Sequence, residues 1–119
     1  MAAVKSQMGF VTVIVAHPSD SDYNEIKNMK EAVREMMDHI EEYTDIDQCE
    51  NFVRSTRYEY IFIISTSHFI NNVFNLNLHQ IRHVQSIFLF DPYKKINLSD
   101  IDNLRQSSYK VNKKIFFLY

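Results

Sequence analysis

Phe10-Val-Thr-Val-Ile-Val-Ala16 is a continuous run of apolar and β-branched residues. Such a run fits a strand buried on both faces rather than one with a wet side, and it reads as the central strand of a sheet. Gly9, the one glycine in the chain, is expected just ahead of this strand, and the polar loop His17-Pro-Ser-Asp-Ser-Asp22 follows it. Two more runs have the same character: Tyr60-Ile-Phe-Ile-Ile64 and Ser86-Ile-Phe-Leu-Phe90. Each is about the usual length of a strand.

The segments between these runs are helix-sized. Apolar residues at Ile26, Met29, Val33, Met36, Met37 and Ile40 recur at helical spacing among charged residues, which predicts an amphipathic helix with the methionines in its core stripe. Glu41 to Tyr43 leaves room for a short edge strand. Thr44 with Asp47 reads as the start of a second helix, whose buried stripe is Ile46, Cys49, Phe52 and Val53. His68 to Arg82 reads as a weak helix, because its four asparagines lower the propensity. Ser99, with Asp100 and Asp102, is expected to cap a short helix carrying Ile101 and Leu104. Lys114-Ile-Phe-Phe-Leu-Tyr119 is strand-like.

Strands joined by helical crossovers pair in parallel, and such crossovers are right-handed. The expectation is therefore one three-layer α/β domain over 1–119, flavodoxin-like, with a five-stranded, mostly parallel sheet in the order 2-1-3-4-5 and no helix after the last strand. No repeat, low-complexity tract or linker divides the 119 residues. With 13 Lys+Arg against 15 Asp+Glu, the formal charge of -2 gives no field that would draw the chain onto nucleic acid or anionic lipid. No apolar stretch reaches the roughly 18 residues of a membrane span. The lone cysteine and the absence of an apolar leader in Met1 to Phe10 imply a reducing, cytoplasmic setting. A single glycine ahead of the first strand also argues against a phosphate-cradling loop.

Tyr43-Thr-Asp-Ile-Asp-Gln-Cys-Glu-Asn-Phe52, Ile61-Phe-Ile-Ile-Ser65, His79 with Val84-Gln-Ser-Ile-Phe-Leu-Phe90, and Lys110-Val together resemble an uncharacterised α/β segment of bdelloid rotifer proteins. That segment precedes tetratricopeptide repeats or an ADP-ribosyltransferase domain, and the resemblance implies a regulatory or scaffolding role. The family continues its third strand with a Ser-Gly-Ser-Leu-Gly-Gln-like turn, where this chain has Ser65-Thr-Ser-His-Phe69. The layout is more distantly similar to receiver and TIR domains. A receiver holds Mg²⁺ on paired acidic residues and phosphorylates an Asp at the end of its third strand, whereas this chain has His17-Pro18 and Ser65-Thr66 there. An NAD-cleaving TIR domain uses a Glu in the helix after that strand, and His68 to Arg82 contains neither Asp nor Glu. The similarity thus implies a domain without either chemistry, and no cofactor is expected.

In open α/β sheets ligands bind outside the carboxyl ends of the strands. That edge is expected to gather His17, Asp20 and Asp22, then Ser65, Ser67 and His68, and finally Asp91 and Tyr93. A His, Ser and Asp meeting there would have the parts of a hydrolytic triad, but no Gly-x-Ser-x-Gly elbow is present, and no catalytic residue is assigned. His79 and His83, four apart, would share one face of a helix. Two imidazoles with no further ligand do not make a metal site, so both are expected at the surface or at a helix end. Cys49 is expected to be buried. The pairs Lys94-Lys95 and Lys113-Lys114 read as a solvated rim.

The reading that follows is a noncatalytic protein-interaction or regulatory module. A small-molecule or nucleotide-binding domain is the alternative, and a hydrolase or NAD-cleaving enzyme a more distant one. The partner is expected to be a second copy, forming a homodimer, or an adjoining segment. Its contact surface would be the last strand, with Phe116 and Leu118 on one side and Ile115, Phe117 and Tyr119 on the other.

Overall fold

The computed structural model describes residues 7–20, 23–34, 39–110 and 114–118. The elements run β1 (Gln7–Val15), α1 (Tyr23–Arg34), β2 (Ile40–Tyr43), α2 (Ile46–Ser55), β3 (Tyr58–Thr66), α3 (Ile70–Asn75), a 3-10 turn (Leu78–Gln80), β4 (Val84–Phe90), α4 (Leu98–Lys110) and β5 (Lys114–Leu118). All the strand pairs are parallel and the sheet order is β2-β1-β3-β4-β5, the flavodoxin-like layout with its first crossover reversed in direction between β1 and β3.

Among the described residues the two sheet faces carry cores of unequal size. Val11, Val13 and Val15 of β1, Ile61 and Ile63 of β3, and Ile87 and Leu89 of β4 point into one core with Cys49 and Val53 of α2, Ile70 and Val73 of α3, and Leu104 of α4. On the opposite face Ile14, Ala16, Ile64 and Phe90 pack against Ile26 of α1, with Met29 beside them. Met36 and Met37 lie outside the described residues.

Several local expectations are corrected. Gly9 lies within β1, at φ +93°. From Gln7 to Phe10 the strand takes three steps while β3 takes two, from Tyr58 to Tyr60, so the glycine supplies the left-handed backbone that a bulge of this kind requires. Phe10 is 54% exposed, so full burial of the central strand begins at Val11. The α2 cap is Asp45, not Thr44: its Oδ1 accepts from the Asp47 N–H at 2.7 Å. Asn97 replaces Ser99 as the cap of α4, accepting from the Asp100 N–H at 2.8 Å. Asp is a stronger cap than Thr, and Asp45 directly follows Thr44; Asn97 and Ser99 are comparable caps, and the helix starts at the earlier of the two.

The segment His68 to Arg82 is not one helix. α3 ends at Asn75, Asn77 adopts left-handed backbone at φ 59°, and a 3-10 turn follows. Asparagine tolerates that conformation better than other side chains with a Cβ, which lets the chain reverse here. His79 and His83 therefore share no helical face. His79 is buried with its ring 4.5 Å from that of Phe74, while His83 is exposed in the turn before β4.

Candidate functional site

The crossover reversal places the loop after β1 next to the loop after β3. Asp20 lies between them, its side chain only 8% exposed. Its Oδ2 accepts from the His17 N–H at 3.2 Å and from the Thr66 hydroxyl at 3.1 Å, and its Oδ1 lies 3.0 Å from His68 Nδ1. One carboxylate thus closes its own turn, satisfies a buried hydroxyl and orients an exposed imidazole. With Nδ1 directed at Asp20, the Nε2 of His68 is left for an outside partner.

His17 is held the other way round. Its Nδ1 accepts from the Ser19 N–H at 3.1 Å and lies 2.6 Å from Ser19 Oγ, so the proton of the neutral ring belongs on Nε2. The rings of His17 and His68 stack at 5.1 Å with an interplanar angle of 13°, and Phe69 closes against His68 at 4.6 Å. The parts of a triad are therefore divided between two imidazoles, with serine on one and aspartate on the other. A proton cannot pass along a single Ser-His-Asp line in this arrangement.

Of the other residues expected at this edge, Ser65 is buried and donates to the Thr66 carbonyl at 3.0 Å. Ser67 is half-buried. Asp91 is buried and accepts from the Lys95 and Ile96 N–H groups at 2.9 and 3.1 Å, which makes it the brace of its own turn. Tyr93 is exposed and donates to Glu25 of α1. Asp22 lies outside the described residues. Ser19 and Thr66 also belong to this cluster, and the sequence marks them only by their place one residue from Asp20 and Ser65.

A second feature is a row of aromatic rings across the sheet face that carries α1. Phe10 lies 5.8 Å from Tyr60 and 5.5 Å from Phe62; Phe62 lies 6.4 Å from Phe88, and Phe88 stacks on Phe116 at 5.1 Å. The row spans β1, β3, β4 and β5. Phe10, Tyr60 and Phe116 are 54%, 40% and 41% exposed. Ile115 points the other way, packing on the opposite core. Phe117 and Leu118 are described by their backbone pairing to Leu89 and Phe90, and Tyr119 lies outside the described residues. The sequence signal for this row is the alternation Tyr58, Tyr60, Phe62 in β3 and Phe88, Phe90 in β4, with Phe10 in β1 and Phe116 in β5.

Cys49 is fully buried, and burial, with the charge of Glu50 adding to it, pushes its thiol up to about 12. Among the described residues no helix is long and apolar enough to cross a membrane. No protein-family model, curated protein or solved structure matches this chain.

Proposed function

We propose that this chain is a noncatalytic protein-interaction module of receiver-like or TIR-like layout, which associates with a second copy through the aromatic face of its sheet. The exposed row Phe10, Tyr60 and Phe116, continued by Phe62 and Phe88 across four strands, carries this reading. Aromatic side chains are enriched at the cores of interfaces, where they supply large contact area at low entropic cost. The three exposed rings offer roughly 300 Å² of accessible surface. That is a hot-spot core rather than a whole interface, which needs about 800 Å² per partner. The exposed flank of α1 supplies the remainder, and a two-fold axis over the row closes the assembly. Cytoplasmic residence and a regulatory role for an attached domain fit the same reading.

Light scattering at micromolar concentration tests it. The expected mass is that of a dimer for the wild type and of a monomer for Phe10→Ser and Phe116→Ser. A wild-type monomer that also binds no apolar dye overturns it.

A second reading, a small polar ligand at the carboxyl edge, is supported by the stacked pair His17 and His68 at the β1/β3 reversal, the customary ligand position of this layout. Such a ligand would meet a donor on His17 and an acceptor on neutral His68. Titration with nucleosides and nucleotides followed through the imidazole NMR signals tests it; unmoved signals at millimolar ligand reject it.

A further inference from the structure

The amino edge of the sheet holds a cleft of about 450 Å³ between the starts of β3 and β4, lined by Arg57, Glu59, Tyr60, Arg82, His83 and Gln85. Two features of the chain build it. Arg57 stands between the end of α2 and the first residue of β3, and Arg82 and His83 form the turn that leads into β4. A register shift then separates the pair Ile61↔Val84 from Phe62↔Ser86, so β4 advances two residues against one and Gln85 is the extra one. Bulges of this kind re-aim a side chain and recur beside binding sites.

The lining is cationic in a chain whose formal charge is -2. Arg57 and Arg82 line it together with one carboxylate, Glu59, and the imidazole of His83. One wall is apolar: Tyr60 is 40% exposed and lies 5.8 Å from Phe10. A basic cleft with an aromatic lip selects an anionic group that sits next to an apolar one. Two arginines are too few to track a nucleic-acid backbone, whereas each guanidinium fork matches one carboxylate in bidentate geometry.

We propose that this cleft docks an acidic peptide segment, with carboxylates held by Arg57 and Arg82 and a neighbouring aromatic or aliphatic side chain placed on Tyr60. The site lies at the amino edge, away from the carboxyl-edge histidines, and it does not rest on self-association of the chain, although Tyr60 is shared with the aromatic row.

The test is fluorescence anisotropy with a labelled peptide carrying two glutamates beside a phenylalanine, measured on the full chain. Arg57→Ala and Arg82→Ala are each expected to weaken binding roughly tenfold to a hundredfold, the loss of one charge-assisted bond pair. Arg57→Lys, which keeps the charge but loses the fork, is expected to fall between. Lys27→Ala on α1 is the control for net charge and is expected to leave affinity unchanged, whereas replacement of Phe116 by Ser, which removes the second copy that would cover Tyr60, is expected to raise it, and this separates peptide docking from dimerisation. The exposed positions of both arginines keep the variants folded, which thermal melting verifies. The proposal is overturned by any of three results: no binding by the wild type, a loss in Lys27→Ala equal to that in Arg57→Ala, or displacement of the peptide by phenyl phosphate or a short oligonucleotide at lower concentration than by unlabelled peptide.

Discussion

His68 Nδ1 lies 3.0 Å from Oδ1 of Asp20, a carboxylate almost wholly enclosed between the loops that follow β1 and β3. Forty-eight positions separate the two residues in sequence, so the contact exists only because the parallel sheet sets β1 beside β3. The same carboxylate also receives the Thr66 hydroxyl, and the two loops are joined there by side chains rather than by backbone pairing.

Asp20→Ala is expected to lower the stability of the fold by about 1–3 kcal/mol, because it strands the His17 N–H and the Thr66 hydroxyl without their acceptor. Ser19→Ala, at an exposed position, is expected to stay within about 0.5 kcal/mol. Urea unfolding of the two variants checks the contrast. Equal midpoints would show that Asp20 does not latch the loops.

Cys49 is expected to resist thiol reagents at neutral pH in the native protein and to react only on unfolding. Its native pKa, pushed up to about 12 from 9.0, lies above the unfolded value. Below pH 9 both states hold the proton and this group adds no pH dependence. As pH rises from there toward about 12, the unfolded chain ionises while the native thiol does not, and stability is lost. Tyr43 and Tyr58 act with the same sign, since burial, and then the charge of Glu41, raises both. Denaturation midpoints followed into the alkaline range check this; a flat profile, or rapid labelling in the native state, contradicts it.

The two sheet faces are expected to respond differently to truncation. Ile63 is fully buried in the larger core, and Ile63→Ala should cost about 2–5 kcal/mol. Phe10 is 54% exposed, and Phe10→Ala should cost less than about 1 kcal/mol in the isolated subunit. Melting at fixed protein concentration, in a Phe116→Ser background chosen to remove the proposed association, compares them on equal terms. A cost at Phe10 as large as at Ile63 would mean that this face is covered within the subunit.

Much of the fold was legible because burial on both faces leaves a direct trace. Val11 to Val15, Ile61 to Ile64 and Ile87 to Phe90 needed no partner to declare themselves as strands, and the helix-sized spacing between them left parallel pairing as the economical outcome. The helix ends were less legible. Thr44 and Ser99 are acceptable caps, yet Asp45, next to the first, and Asn97, two places before the second, win, since a choice between nearby capping residues is settled by where the crossover must turn. The segment His68 to Arg82 was harder again: its asparagines announced a weak helix, but only the folded chain shows that Asn77 takes left-handed backbone and turns His79 inward.

By itself the sequence determined the α/β class and the burial of Cys49, because hydrophobic period and element length are local properties of the chain; the strand order followed from the flavodoxin-like layout that such an element pattern adopts. The tertiary structure alone decided which polar residues meet at the carboxyl edge. Ser65 turns into the interior while Ser19 and Thr66 join Asp20 and the two histidines. It also decided that aromatics from four strands form one row, three of its five rings exposed. Both are matters of register between strands distant in sequence. Register is fixed by backbone pairing and by the bulges at Gly9 and Gln85, and no single strand carries that information.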